Sequence, residues 1–252
     1  PSRAKCAIDF KNFKSFISIW TRLGLNMSHG TIVNLGCKWV KNRVNIDHTW
    51  HLLEHLDKVA GSHFRFVGFD PDTAQFNITV ATANRKLSQK QMSEVTLVND
   101  YVKVETVLTT FRQMSIPQEP HLLKIDVDSI DWPLLDVILF EYAPMVIFVE
   151  FLRWVPLPLE FKALDAHSGR SPSYFRGYRG FNKIFPCGGS SLAAWNSLSQ
   201  RHNYEIIADD GHSNIVMVKT RYSKRFKKYH LPCTGVMASK ESFRIGGSVN
   251  DS

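Results

Sequence analysis

The stretch "HLLKIDVDSIDWPLLDVI", residues 121–138, decides the fold. Its first part is an apolar run of strand length, and its second part carries apolar residues at helical spacing. Between them stand Lys124 and three acids, Asp126, Asp128 and Asp131. A strand that only builds a core has little use for carboxylates at its end, so the junction reads as one wall of a site. Alternate residues of a strand share a side, which places Lys124, Asp126 and Asp128 together. Asp131 reads as the N-cap of a helix starting near Trp132, with Pro133 in its first turn. A plainer reading makes Lys124 and Asp126 a satisfied structural ion pair.

The same strand-then-helix rhythm extends to both sides. "GTIVNLG" (30–36) reads as a strand. "DHTWHLLEHLDKVAG" (47–61) reads as a helix capped by Asp47 and ended by Gly61, and "HFRFVGFDPD" (63–72) as a second strand stopped at Asp70-Pro71. Strand, helix and strand in this order predict a βαβ unit with a parallel pair. "QFNITVATA" and "EVTLVNDYVKVETVLTTF" supply strand-like and then helical material. "PMVIFVEF" (144–151) is another strand and "SSLAAWNSLSQRH" (190–202) a helix, followed by "YEIIADD" and "NIVMVKT" around "DGHS", a hairpin. Residues 8–25 read as an amphipathic helix ending near Gly24. The pattern predicts an α/β, Rossmann-like, doubly wound and mostly parallel sheet with an antiparallel C-terminal hairpin. It divides into an N-terminal helical segment (1–29), the main domain (30–220) and a basic, flexible tail (221–252). Within the domain, residues 152–189 lack a period and read as a long lid or substrate loop.

With 252 residues, 44% hydrophobic and 21% charged, the chain is long enough for one well-filled core. No window holds the 18 or so consecutive apolar residues of a membrane span. The start, "PSRAKCAIDF", has neither an initiator Met nor a signal-peptide apolar region and reads as trimmed. A net charge of +8 is concentrated in "KTRYSKRFKKYH" (219–230), either a patch for nucleic acid or another anionic surface, or a solvated segment. Four cysteines (6, 37, 187 and 233) form no CxxC pair, which disfavours zinc, while Cys6 and Cys233 could tie the chain ends. His51 and His55 are four apart without an HExxH order, so no metal site is expected. "RSPSYFRGYRGF" interleaves Arg170, Arg176 and Arg179 with aromatics, suited to gripping a sugar, a base or a phosphate, or to packing the loop on its own domain. No G-x-S-x-G elbow supports a hydrolase. Compartment and oligomeric state have no signal.

In a doubly wound sheet, ligands bind beyond the carboxyl ends of the strands. The residues delivered there are Asn34, Gly36 and Cys37 from the first strand, Asp70 from the second, then Asp126, Asp128 and Ser129, and finally Glu150. Asp70 can accept both ribose hydroxyls of a nucleoside cofactor, or it can simply serve an Asp-Pro-Asp turn. "NLGCKWVKN" has one glycine where a dinucleotide cradle needs three, so an NAD-type cofactor is disfavoured and S-adenosylmethionine (SAM) remains compatible.

"LLKIDVDSIDWPLLDVILF…APMVIFVEF" resembles the signature of the FkbM-like SAM-dependent methyltransferases, in which a strand reading roughly LLKIDVEGYE precedes a helix and a strand ending in Glu. "TIVNLGCKWVKNRVNIDHTWHLLEHL", "FVGFDPD" and "GFNKIFPCGGSSLAAWNSLSQRHNYEIIADDGHSNIVMVK" resemble, in order, that family's cofactor loop, second strand and closing helix-hairpin, so the likeness covers about residues 30–220. It implies a class I methyltransferase-like fold that binds SAM, with Gly36 lining the cofactor loop, Asp70 holding the ribose, and Asp126, with Asp128 beside it, facing the methyl donor. The strand-end positions of Asn34 and Cys37 add them to the expected cofactor-binding set. Catalysis is expected of Asp126, Asp128 and His212, with Asp126 or His212 able to serve as the base for a hydroxyl acceptor on a small molecule or, as the resemblance implies, a glycan. The chain departs from the pattern at Asn34, where Asp is usual, at Lys38 and Val40 in the loop, and at Ser129, where glycine is usual. Those departures support an alternative, a catalytically inactive relative kept as a binding module. The basic tail and the arginine-aromatic loop support another, an RNA-binding or RNA-modifying protein.

Overall fold

The structure, a computed structural model, describes residues 13–24, 29–38, 47–58, 63–127, 130–152, 155, 157–162, 189–209 and 213–226. The first half runs α1 (Phe13–Leu23), β1 (His29–Leu35), α2 (His48–Asp57), β2 (His63–Phe69), α3 (Thr73–Lys86), α4 (Gln89–Ser93), β3 (Val95–Val98) and α5 (Val107–Gln113). The second half runs β4 (Leu122–Ile125), α6 (Asp131–Glu141), β5 (Val146–Leu152), β6 (Ser190–Ser191), α7 (Leu192–Arg201), β7 (Tyr204–Asp209), β8 (Asn214–Lys219) and α8 (Thr220–Ser223).

The strands lie in the order β3-β2-β1-β4-β5-β8-β7, with β6 beside β5. Every pair from β3 to β5 is parallel, and β8 runs antiparallel to both β5 and β7. This is the Rossmann-like arrangement, with the order in which strands are added reversing between β1 and β4, and the predicted hairpin forms its antiparallel edge.

Both faces of the sheet are covered, which is why its central strands are apolar throughout. On one face Val33, Leu35, Leu123 and Ile125 meet Phe111 of α5, Leu134 and Ile138 of α6, and Trp195 of α7. On the other, Ile32, Phe64, Phe66 and Leu122 meet Trp20 of α1, Leu53 of α2 and Ala83 of α3. Fully buried phenylalanines such as Phe64, Phe66 and Phe111 each stabilise the fold by roughly 1.5–3 kcal/mol. The single predicted core is thus two apolar layers divided by the sheet. Phe226, just past α8, packs into the second layer, so the start of the basic tail belongs to the folded body. Arg225 Nη1 there donates to the Leu23 carbonyl of α1.

Three local expectations are corrected. "QFNITVATA" lies inside α3 rather than in a strand. Asp72 caps it by accepting from the Ala74 and Gln75 N–H groups, and its Ile78 is half exposed, so capping and one-sided burial override the local β preference. α2 ends at Asp57, before Gly61, with the Lys58 N–H closing onto the His55 and Leu56 carbonyls. Asp131 is the first residue of α6 rather than its cap, and its Oδ1 accepts from the Val127 N–H at 2.9 Å.

Candidate functional site

Register fixes the site before any side chain is considered. Leu35 pairs with Phe69 on one side and Ile125 on the other. The next residues, Asp70, Gly36 and Asp126, therefore emerge side by side from β2, β1 and β4. Two interstrand steps put the two acid backbones about 10 Å apart. The Lys38 ammonium draws both carboxyls downward in pKa, as expected of two acids emerging at the same end of the sheet.

Asp70 is fully buried. Its N–H donates to the Val98 carbonyl at 3.1 Å. Its carbonyl accepts from Asn99 Nδ2 at 2.8 Å, and Thr73 Oγ1 donates to Asn99 Oδ1 at 2.9 Å. Half of the carboxylate does the turn chemistry that Asp-Pro-Asp suggests, because Oδ1 accepts from the Asp72 N–H at 2.9 Å. The other oxygen, Oδ2, is buried and has no partner. Burial raises the Asp70 pKa, and the Asp72 N–H and Lys38 only partly oppose it.

Beside it, on the α2 face of the sheet, lies a buried polar network. Asn34 Nδ2 donates to Asp47 Oδ2 and to Thr49 Oγ1, each at 2.7 Å. Asp47 Oδ1 accepts from the Thr49 N–H at 2.9 Å and from its hydroxyl at 2.7 Å. Lys124, paired in register with Asn34, brings its Nζ to 3.3 Å from Asp47 Oδ2 and 2.9 Å from Asp126 Oδ2. Burial opposes the Lys124 charge, but the two carboxylates reverse that and raise its pKa. For Asp126 burial also works against the charge, and Lys124, aided by Lys38, wins and lowers the pKa. The ion pair anticipated as the plainer reading therefore exists. The Asp126 side chain is nevertheless 38% exposed, so part of it reaches solvent at the strand end.

Gly36 has φ +86°, and a Cβ there would sit 1.8 Å from the Asp126 carbonyl oxygen. The Gly36 and Cys37 N–H groups both donate to the Phe69 carbonyl at 2.9 Å. The Cys37 side chain packs into the apolar layer beneath, where burial and the charges of Asp47 and Asp70 push the thiol far above its ordinary pKa. Its side chain is therefore part of the core.

Among the described residues, the buried side-chain polar atoms without a partner include Asn34 Oδ1, Asp70 Oδ2 and Gln75 Nε2. Buried polar groups are almost always paired. These three gather at the ends of β1 and β2 and on the first turn of the helix that follows.

Sequence reasoning missed Asn99, Gln75 and the second role of Asp47. The capping role of Asp47 was legible, but its ion pair with Lys124 joins residues far apart in the chain and leaves no local trace. Asp128, Ser129 and His212 lie outside the described residues, as do Val40, Arg170, Arg176, Arg179 and the basic tail beyond Phe226. His51 pairs with Glu54 at 3.5 Å, and among the described residues no three His, Cys, Asp or Glu side chains are grouped to hold a metal.

No protein-family model and no curated protein matches this sequence. Solved structures with a similar course of chain include a protein described as a sarcosine dimethylglycine methyltransferase from Galdieria sulphuraria (12% identity, TM-score 0.45, 77% of this chain and 62% of that one). A second is described as an rRNA methylase from Clostridium thermocellum (11%, 0.44, 83% and 98%). A third is described as a class I S-adenosylmethionine-dependent methyltransferase from Listeria monocytogenes (9%, 0.41, 86% and 63%). The chain thus spans 62% of the first of these. The fold itself rests on the strand order described above.

Proposed function

We propose that this chain is a SAM-dependent methyltransferase of the FkbM-like branch that methylates an oxygen on a small molecule or a glycan. The observation that carries the reading is Asp70 Oδ2, a buried acceptor with no donor at the end of the second parallel strand. A ribose hydroxyl supplies the missing donor, and the Asn99 contact holds the Asp70 backbone where it can be met. The residues present fit a nucleoside cofactor in this way: Asp70 would hold its ribose, with Asn34, Gly36, Cys37 and Asp126 as the other residues expected to bind it.

Bound SAM supplies an electrophilic methyl group. The task of this chain's residues is to place the acceptor in line with it and exclude water, which is where most of the acceleration of such a transfer lies. Asp126 orients rather than deprotonates, because its ion pair with Lys124 makes it a weak base. The role of base then falls to Asp128 or His212, and residues 152–189 select the acceptor.

A second reading, a cofactor-binding module without turnover, draws on Asn34. Its amide nitrogen, at the position where the family usually has an acid, is committed to Asp47 and Thr49. Calorimetry with SAM and S-adenosylhomocysteine tests the cofactor assignment. Micromolar binding supports it, and no heat at millimolar ligand overturns it. Binding without methyl transfer across a panel of hydroxyl acceptors favours the module.

A further inference from the structure

α3 begins immediately after the turn that carries Asp70, and its inner face is written in the spacing Gln75, Thr79, Ala83. Thr79 and Ala83 are buried, and Ala83 belongs to the apolar layer with Trp50 and Phe66. Residues four apart stack on one face of a helix, so Gln75 heads the stripe that faces the sheet. Helical side chains lean toward the amino end, which carries the Gln75 amide toward the 70–72 turn. Its backbone N–H is already committed to Asp72 Oδ1 at 3.1 Å. Its side-chain Nε2 is shut away from solvent and meets no acceptor. Five residues earlier, Asp70 Oδ2 is equally shut away and meets no donor. Each lacks what the other offers, yet the two have not closed on one another.

We propose that Gln75 and Asp70 form two halves of one hydroxyl-binding site, and that Gln75 is a specificity-determining residue of the nucleoside pocket. This rests on the nucleoside-cofactor reading above. One ribose hydroxyl donates its hydrogen to Asp70 Oδ2 and accepts from Gln75 Nε2. Only a group that is donor and acceptor at once satisfies both atoms. An ether or keto oxygen gives nothing to the carboxylate, and an ammonium gives Gln75 no lone pair. Asp70 alone would accept any donor, and adding Gln75 selects a hydroxyl.

The test is calorimetric binding of adenosine, 2′-deoxyadenosine and 3′-deoxyadenosine to the wild-type chain, Gln75→Met and Gln75→Glu, with circular dichroism confirming that each variant is folded. Met keeps the length of the side chain and removes the donor, whereas Glu replaces the donor with an acceptor. Gln75→Met should weaken adenosine roughly three- to tenfold, and Gln75→Glu should weaken it further. The loss should vanish for the one deoxy analogue that lacks the contacted hydroxyl. Equal losses for all three ligands, or none for any, would overturn the assignment and reduce Gln75 to packing or to a water contact. Failure of the wild-type chain to bind either adenosine or S-adenosylhomocysteine would instead remove the nucleoside reading, and the Gln75 assignment with it.

Discussion

Gly36 and Asp126 approach so closely that a methyl group on the first would lie 1.8 Å from the carbonyl oxygen of the second. The glycine at the end of β1 is thus required by the neighbouring strand end before any ligand is considered, and its φ of +86° adds a second requirement. Gly36→Ala should cost about 3 kcal/mol or more, from strain and clash together. Urea unfolding measures it. A loss below about 1 kcal/mol would mean that β1 and β4 can part freely at their ends.

Lys124 is the cation between Asp47 and Asp126 in the buried network. Lys124→Met leaves two carboxylates facing each other without it and should destabilise the fold by about 3–5 kcal/mol. Adding Asp126→Asn to that variant should restore part of the loss, because one stranded charge goes with it. A double variant no more stable than the single one would show that Lys124 acts through packing of its stem instead.

Asp70 is expected to trade stability for binding. Its pKa is raised by burial, so the folded state holds its proton more tightly than the unfolded chain does. The cost is present while the group is ionised and disappears as pH falls through the raised value. Asp70→Asn removes that charge and can keep the contact to the Asp72 N–H. The ligand-free variant should melt at or above the wild-type temperature at neutral pH and lose that margin in acid. Its S-adenosylhomocysteine affinity should fall roughly 10- to 100-fold. A variant that melts several degrees lower would contradict this.

Asp126 has the opposite sign. Its pKa lies below the ordinary 3.8, so its stabilising contribution is complete above that value and is lost as pH falls through the folded one. Lys124, raised above its ordinary 10.5, contributes fully below that pH and is lost only as pH rises through its own folded value. Thermal midpoints between pH 2 and pH 7 should therefore fall more steeply in acid for the wild type than for Asp126→Asn. Parallel curves would place the acid sensitivity elsewhere.

The central strands were legible because parallel strands covered on both faces have to be apolar along their whole length, as "TIVNL", "FRFVGF" and "VIFVEF" are. The hairpin was legible for a different reason, two short runs around Asp-Gly. α3 was not, since Ile78, Thr79 and Val80 prefer strands locally, and only the capping of Asp72 and the burial of every fourth residue make the segment helical. The strand-end position of Asp70 and Asp126 followed from chain order alone. The Lys124–Asp126 pair was legible too, two residues apart on one strand face. The other partners were not, because Asp47 reaches Lys124 and Asn99 reaches Asp70 from elements distant in sequence, and spacing does not encode such meetings.

Ser191 has a consequence for how this scaffold can vary. Its hydroxyl donates to the Leu159 carbonyl at 2.8 Å and accepts from the Phe161 N–H at 2.9 Å, while its own N–H donates to the Phe161 carbonyl at 2.8 Å. The chain leaving β5 and the chain entering α7 are thereby buttoned together, whatever length separates them. Closing a longer or shorter excursion between two fixed points changes the free energy only with the logarithm of its length. Chain inserted between Lys162 and Gly189 should therefore cost the fold little more than the closure entropy of its added length.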